Sequence, residues 1–275
     1  MFHHPNYIMK SRYELTDDQL RQQAPSIFAP QAIAEVSDRY TFLPTSQIVT
    51  AMREAGWAPV EVQEQRVRLE NRKGFQRHMI RFQRKDQIAV AGEYTAELAL
   101  LNSHDATSAY QLHAALFRFA CNNGLMIGDG TLESLRIRHS GFSPEKLIEA
   151  SFAMAENLPK VTARVDQMKA RLLTPAESQE FAKQALQLRY EDLAEAPIEP
   201  ENLLRHLRYD DAGDDLWRVL NRSQEHLTRG GLKGWRRNPE GKVIGRMRAV
   251  TGLTQNVKLN LELWSLAEKW LSFSA

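Results

Sequence analysis

Cysteine is nearly missing from this sequence: Cys121 stands alone among 275 residues. A disulfide within the chain is excluded, and so is a zinc site built from cysteines. The reducing cytoplasm is the expected compartment. Long apolar runs are missing as well. No stretch approaches the roughly 18 consecutive apolar residues of a membrane-spanning helix, so no membrane partner is expected. MFHHPNYIMKSRYELTDDQL (1–20) has no apolar core of the length a secretory leader needs. Net charge is small, +2 from 36 basic and 34 acidic residues. That argues against a protein coating nucleic acid with its whole surface, and leaves room for a local patch. The apolar fraction of 43% and charged fraction of 25% are those of an ordinary globular protein.

The familiar catalytic signatures are absent too. There is no G-x-x-x-x-G-K-[ST] phosphate loop, and GLMIGDG (124–130) has its glycines at the wrong spacing for dinucleotide binding. There is no H-E-x-x-H and no G-x-S-x-G. His3 and His4 read as a solvated tail. His104 and Asp105, in NSHDATSAY (102–110), have two readings. One is an oriented base with Ser103 or Ser108 as nucleophile. The preferred one is a tight turn in which Asn102, Ser103, Asp105 and Thr107 bond to the backbone. Cys121 reads as a small buried hydrophobe, with a Cys121–His139 dyad as the alternative. Asp210, Asp211, Asp214 and Asp215 precede a helix, where capping explains them more simply than metal binding. No catalytic residue, metal ligand or cofactor is assigned, and the protein is not expected to be an enzyme.

What is present has two rhythms. Residues 1 to about 14 read as an irregular arm. Thr16 caps a short helix ending near Gln23, with Asp17 and Asp18 in its first turn. PTSQIVTAMREAGW (44–57) is helical, capped by Thr45 or Ser46 and ended by Gly56. The period then becomes two: PVEVQEQRVRL (59–69) and QRHMIRFQRK (76–85) are strands joined by a turn at NRKG (71–74). AELALLNS (96–103) and LESLRIRHS (132–140) continue the pattern. AYQLHAALFRFA (109–120) fits either a strand or a helix. From Pro144 the chain is helical: one helix or two over 144–173 with Pro159 as a kink, then 174–190 capped by Thr174 with proline at its first position. EDLAEAPIEP (191–200) reads as a linker, followed by helices near 200–208, 214–229 and 254–271.

Strands grouped first and helices later imply an α+β fold. An antiparallel sheet with a β-hairpin would pack on helices, followed by a mainly helical C-terminal section. The expected divisions are 1–44 (arm and short helices), 45–190 (core with the basic hairpin and long helices) and 191–275 (helical, with a basic glycine-rich loop).

Positive charge is concentrated in two places. QRVRLENRKGFQRHMIRFQRK (65–85) holds eight basic residues against one acid, Glu70. On strands, alternate residues share a face, so Arg66 and Arg68 fall together, and Arg77, Arg81 and Lys85 do likewise. Arg72 and Lys73 occupy the turn, and Phe75 and Phe82 are interleaved. A projecting cationic hairpin of this kind tracks phosphates and offers aromatic rings to bases. The alternative is a solvated hairpin whose charges keep an edge from aggregating. HLTRGGLKGWRRNPEGKVIGRMRAV (226–250) has seven basic residues against Glu240. Its Lys233, Trp235, Arg236 and Arg237 make a second candidate surface, with a plain flexible loop as the alternative.

NSHDATSAYQLHAALFRFACNNGLMIG (102–128), IRHSG (137–141), LWRVLNRSQEHLTRGG (216–231) and SDRYTFLPT (37–45) resemble the domain-of-unknown-function 932 family of phage- and plasmid-related proteins. The resemblance spans roughly 20–271, with RFACNNGL (118–125) its most specific part. Members usually carry glycine after the SHD; Ala106 stands there here, which argues against a positive-φ turn. The family implies a mobile-element context and no set activity. The order of strands and helix is also similar, in architecture alone, to ATP-independent annealing proteins of phages.

The expected function is single-stranded DNA binding and annealing in recombination, by a ring or filament of identical subunits. A contact module for a host defence protein is the alternative. An enzyme using His104, Asp105 and His139 on a nucleic acid ranks third.

Overall fold

The computed structural model describes residues 7–11, 13–36, 40, 42–87, 94–108, 110–118, 123–127, 135–137, 144–234, 237, 240–241 and 245–272. The fold is α+β, as the grouping of periods implied. The chain divides into two compact units. One holds 1–119, 126–158 and 251–253; the other holds 120–125, 159–250 and 254–275.

The sheet has seven strands: β1 (Tyr7–Lys10), β2 (Trp57–Glu64), β3 (His78–Arg84), β4 (Tyr94–Asn102), β5 (Tyr110–Arg118) and β6 (Asn123–Ile127) in that order, with β7 (Leu135–Ile137) pairing β5. Strands β1 to β5 and β7 belong to the first unit. The ladders from β1 to β5 are antiparallel. β5 settles Tyr110–Arg118 of the ambiguous segment as strand. β1 lies in the segment expected to be an irregular arm, where it adds an edge to β2. Pro59 cannot donate to a ladder, and the β2–β3 register shifts between Pro59 and Glu61. The freed carbonyls accept elsewhere: Pro59 from the Leu15 N–H at 2.8 Å and Val60 from Ser11 at 2.8 Å.

Helix α1 (Asp17–Gln23) opens with a capping box. Gln19 donates its N–H to the Thr16 hydroxyl, and its side-chain carbonyl accepts from the Thr16 N–H at 2.9 Å. Helix α2 (Thr45–Glu54) corrects its expected cap. Pro44 occupies the N-cap without a side-chain bond, and Thr45 is the first helical residue, fully buried and bonded inward. Gly56, at φ +86°, ends it as expected. Leu20, Ile48, Val49 and Met52 from these helices are buried, as are Ile80, Phe82, Leu98, Leu100 and Leu112 of the sheet.

α3 (Pro144–Ala170) is one helix with Pro159 inside it. The second unit follows with α4 (Pro175–Gln187), α5 (Leu216–Arg229) and α6 (Leu253–Ser272). Thr174 and Glu177 cap α4 reciprocally. Asp215 caps α5, accepting the Arg218 N–H at 3.0 Å and its guanidinium at 2.5 Å. That is the capping role expected within the acidic group. α5 is buried almost all round and carries polar side chains inside. Gln224 donates to Asn260 at 2.8 Å, and Arg208 clasps Glu225 through two bonds of 2.5 and 2.6 Å. The segment 191–200, expected to link domains, is instead packed. Ala196, Pro197 and Ile198 are buried, and Pro200–Leu204 forms a short 3-10 helix.

Candidate nucleic-acid interface

The loop between β2 and β3 is closed by the Gln65 N–H donating to the Arg77 carbonyl at 2.8 Å. Within it Glu70–Arg72 forms one 3-10 turn. Gly74 then takes φ +86°, which lets the chain reverse. The Gly74 N–H donates to the Gln76 side chain at 2.6 Å, and Gln76 donates to Glu64 of β2 at 2.8 Å. A neighbouring turn, 103–108, braces it. The His104 N–H donates to the Phe75 carbonyl at 2.8 Å, Arg77 donates to the Thr107 carbonyl at 2.6 Å, and Arg72 lies 3.8 Å from Asp105. The loop is thus held by main-chain and buried side-chain bonds, while its outer side chains remain in solvent.

The candidate residues separate into groups. Arg66, Arg68 and Lys73 are exposed on the loop, and Leu69 between them is 58% exposed. Lys73 meets Glu70 at 2.6 Å in an exposed pair, which leaves much of its field available. Arg72, Phe75 and Arg77 are half-buried at the base. Lys85 follows the far end of β3, near Glu14 at 3.8 Å. In the second unit Lys233 and Arg237 are exposed; Trp235 and Arg236 lie outside the described residues, as do Cys121 and His139.

Arg81 does not belong to any such surface, and the expectation for it is corrected. It is 2% exposed and pairs with Glu97 at 2.5 Å and Glu61 at 3.9 Å. Lys10 reaches Glu61 at 3.2 Å, and Gln83 donates to Glu97 at 2.7 Å. These groups come from four adjacent strands and point to one sheet face. The alternation of β3 was right, but both of its faces are covered: every residue from His78 to Gln83 is buried. Phe82 accordingly lies in the core, away from any base.

A second polar group lies on the opposite face. His78 Nδ1 sits 3.1 Å from the Gln76 carbonyl and 2.8 Å from Ser26 Oγ; Nε2 sits 2.9 Å from Thr45 Oγ1. A carbonyl only accepts, so Nδ1 carries the proton and Nε2 of the neutral ring accepts from Thr45. The Thr45 oxygen then accepts from Asn102 Nδ2 at 2.9 Å and His104 Nε2 at 3.2 Å. Burial drives the His78 pKa down to about 4, which keeps the ring neutral. His78 was not singled out from sequence, and Thr45 was named only as a helix cap. The available signal was a histidine at an inward position of an apolar strand. Asp105 accepts from the Thr107 N–H at 3.1 Å and from its hydroxyl at 2.5 Å, the bonds of a tight turn. Ala106 inside that turn has φ +58°, so a positive-φ turn is present despite the alanine. Among the described residues no three His, Cys, Asp or Glu side chains gather as a metal site would require, and no helix is long and apolar enough to cross a membrane.

A sheet with ions locked into one face and a cationic loop braced at one end defines an α+β protein with a candidate polyanion surface. The chain belongs to the family described as "Domain of unknown function (DUF932)", whose model matches residues 32–264. It is 37% identical over 270 residues to UPF0380 protein YafZ of Escherichia coli (strain K12), covering 97% of this chain and 95% of that one. UPF0380 protein YfjQ of the same organism matches to the same extent. No solved structure matches.

Proposed function

We propose that this protein binds single-stranded DNA through the β2–β3 loop and promotes annealing without ATP. The observation that carries the proposal is the set Arg66, Arg68 and Lys73, exposed together on a loop whose base is fixed by buried bonds. A braced loop presents its cations without first having to order the backbone, so phosphate contacts release counterions at little conformational cost. Phe75 at the loop base and Leu69 beside the arginines supply apolar surface for bases. The reading includes self-association into a ring or filament, the form in which annealing proteins present a continuous cationic surface.

The test is anisotropy of a labelled single-stranded oligonucleotide across a salt series. Wild type is compared with Arg66→Glu/Arg68→Glu/Lys73→Glu. Tight binding that weakens steeply with salt in the wild type and collapses in the variant supports the proposal. Equal binding by both proteins overturns it. One observation favours a second reading: Leu69 is a large apolar side chain exposed among cations. That combination also suits an acidic protein partner, such as a host defence protein. Partners captured on the wild type, lost with Leu69→Ser and resistant to nuclease would favour it.

A further inference from the structure

The second basic segment folds back on itself. Gly230 ends α5 with φ +65°, and a Cβ there would lie 2.5 Å from the carbonyl carbon of Arg248. The Gly231 N–H donates to the Met247 carbonyl at 2.7 Å, and the Met247 N–H to Leu232 at 2.9 Å. Gly231 and Leu232 thus both oppose Met247. This is a bulge with a left-handed glycine, at φ +88°, in its first position. Lys233 and Arg246 come next, directly opposite each other in an antiparallel bridge. Arg189 fixes the returning chain by donating to the carbonyls of Leu227 at 2.6 Å and Arg248 at 3.0 Å. Gly234 presses so closely on the Pro197 carbonyl that any Cβ would overlap it.

One side of this ribbon is inside, with Met247 buried. The other side carries Lys233, Arg246 and Arg248, all exposed. Directly opposed side chains lie about 5 Å apart at Cβ, and like charges in that position destabilise the pairing. Several other arginines of this unit do have acids: Arg171 has Glu177, Arg208 and Arg229 have Glu225, and Arg218 has Asp215. Lys233, Arg246 and Arg248 have no acidic partner among the described residues. The backbone is anchored at several points while three cations face one way with no acid paired to them among the described residues.

We infer that this ribbon face is a second phosphate-binding element, taking consecutive phosphodiesters of a single-stranded nucleic acid independently of the 65–77 loop. The inference rests on the nucleic-acid reading above. Arg246 and Arg248, two residues apart on an extended chain, are separated by about 7 Å along the ribbon. Lys233 lies across from Arg246, so the three cations offer contacts to adjacent phosphates. The glycines hold the ribbon close to α5 and to the 196–198 segment, and the cations need only rotamer adjustment to bind.

The experiment uses the full chain and a labelled single-stranded oligonucleotide, read by anisotropy from low to high chloride. Lys233→Gln/Arg246→Gln/Arg248→Gln is expected to bind more weakly. Its slope of log affinity against log salt should be shallower by about 2, since each phosphate contact to a single strand contributes about 0.7. Arg246→Lys/Arg248→Lys keeps the charges and should keep the slope; if it loses binding as the Gln variant does, the arginines shape the ribbon and the inference falls. An unchanged slope in the Gln variant, with binding lost in Arg66→Glu/Arg68→Glu/Lys73→Glu, overturns the ribbon and leaves the loop. The reverse pattern supports the ribbon and removes the loop. A wild type that binds no oligonucleotide at low salt overturns both. Binding of inorganic phosphate that is lost in the Gln variant, with oligonucleotide affinity and salt slope unchanged by that variant, would assign the face to free phosphate and overturn the polynucleotide.

Discussion

Thr45 Oγ1 lies 2.9 Å from His78 Nε2, joining the first turn of α2 to the first residue of β3 inside the core. The hydroxyl gives its single proton to His78 and accepts from Asn102 and His104. Thr45→Val keeps the shape and removes all three bonds. It leaves buried donors and an acceptor unpaired, at about 1–3 kcal/mol for each group left unsatisfied. A loss of about 3 kcal/mol or more is expected in urea unfolding, against about 1 kcal/mol for Thr45→Ser, which retains the hydroxyl. Equal losses in the two variants would show that the methyl group, and not the bonds, holds α2 to the sheet.

Acid should weaken the fold before its surface carboxylates titrate. Burial lowers both His78 and His113 from 6.5 to about 4. Between those values the unfolded chain binds protons that the folded chain refuses, so stability rises with pH. It is fully present above about pH 6.5 and lost as pH falls toward 4, by up to about 3 kcal/mol per histidine. Denaturation midpoints measured from pH 7.5 down to 4.5 should fall steadily. His113→Gln should flatten the dependence in part, with His78 and His226, which burial also lowers, carrying the remainder. The buried carboxyls of Glu64 and Glu97, raised by burial, work in the opposite sense. The check on the rings is therefore the difference between wild type and His113→Gln: an identical pH dependence in the two would mean that His113 does not stay neutral in the folded protein.

Ala106 is the single described non-glycine residue with positive φ, at +58°. For an L-residue with a Cβ this conformation costs about 1 kcal/mol or slightly more. Asp105 bridges the turn by accepting from Thr107, and that holds alanine there. Ala106→Gly relieves the strain but frees the unfolded chain. A net gain of up to about 1 kcal/mol is expected, read as a higher midpoint with an unchanged m-value. A loss of stability would mean that the alanine methyl group makes a packing contact outweighing the strain.

Period two placed β3 and β4 in the sequence within about two residues. β2, by contrast, ends at Glu64, five residues before the expected strand end, so Arg66 and Arg68 lie on a loop and not on one face of a strand. The capping patterns at Thr16 and Thr174 marked real helix starts. These signals are local, and the physics behind them is local too. Failures came where tertiary context decides. Tyr7–Lys10 is a strand because β2 offers it an edge. Thr45 has the composition of a cap, yet its hydroxyl is drawn inward by two histidines distant in sequence. Residues 191–200 look like a linker from their acids and prolines, but the three residues 196–198 fill the core of the second unit. For the candidate site, the basic loop was legible as a charge run. Which cations remain in solvent was not, because alternation names a face without saying what covers it.

Arg81 and Arg68 illustrate that distinction, and they should respond differently. Arg81→Met leaves Glu97 buried without its 2.5 Å partner and should destabilise by about 3–5 kcal/mol. Adding Glu97→Gln removes the stranded charge while Gln83 remains beside it, and should recover at least half of that loss. Once folded, this double variant should bind single-stranded oligonucleotide like wild type, since neither group reaches the surface. Arg68→Glu/Lys73→Glu should do the opposite, with unfolding shifted by no more than about 0.5 kcal/mol and binding sharply reduced. Unfolding and anisotropy on the same preparations check both. If the double variant folds and its binding falls as far as that of the loop variant, the buried row and the loop act together, and positive charge at the surface alone does not account for recognition.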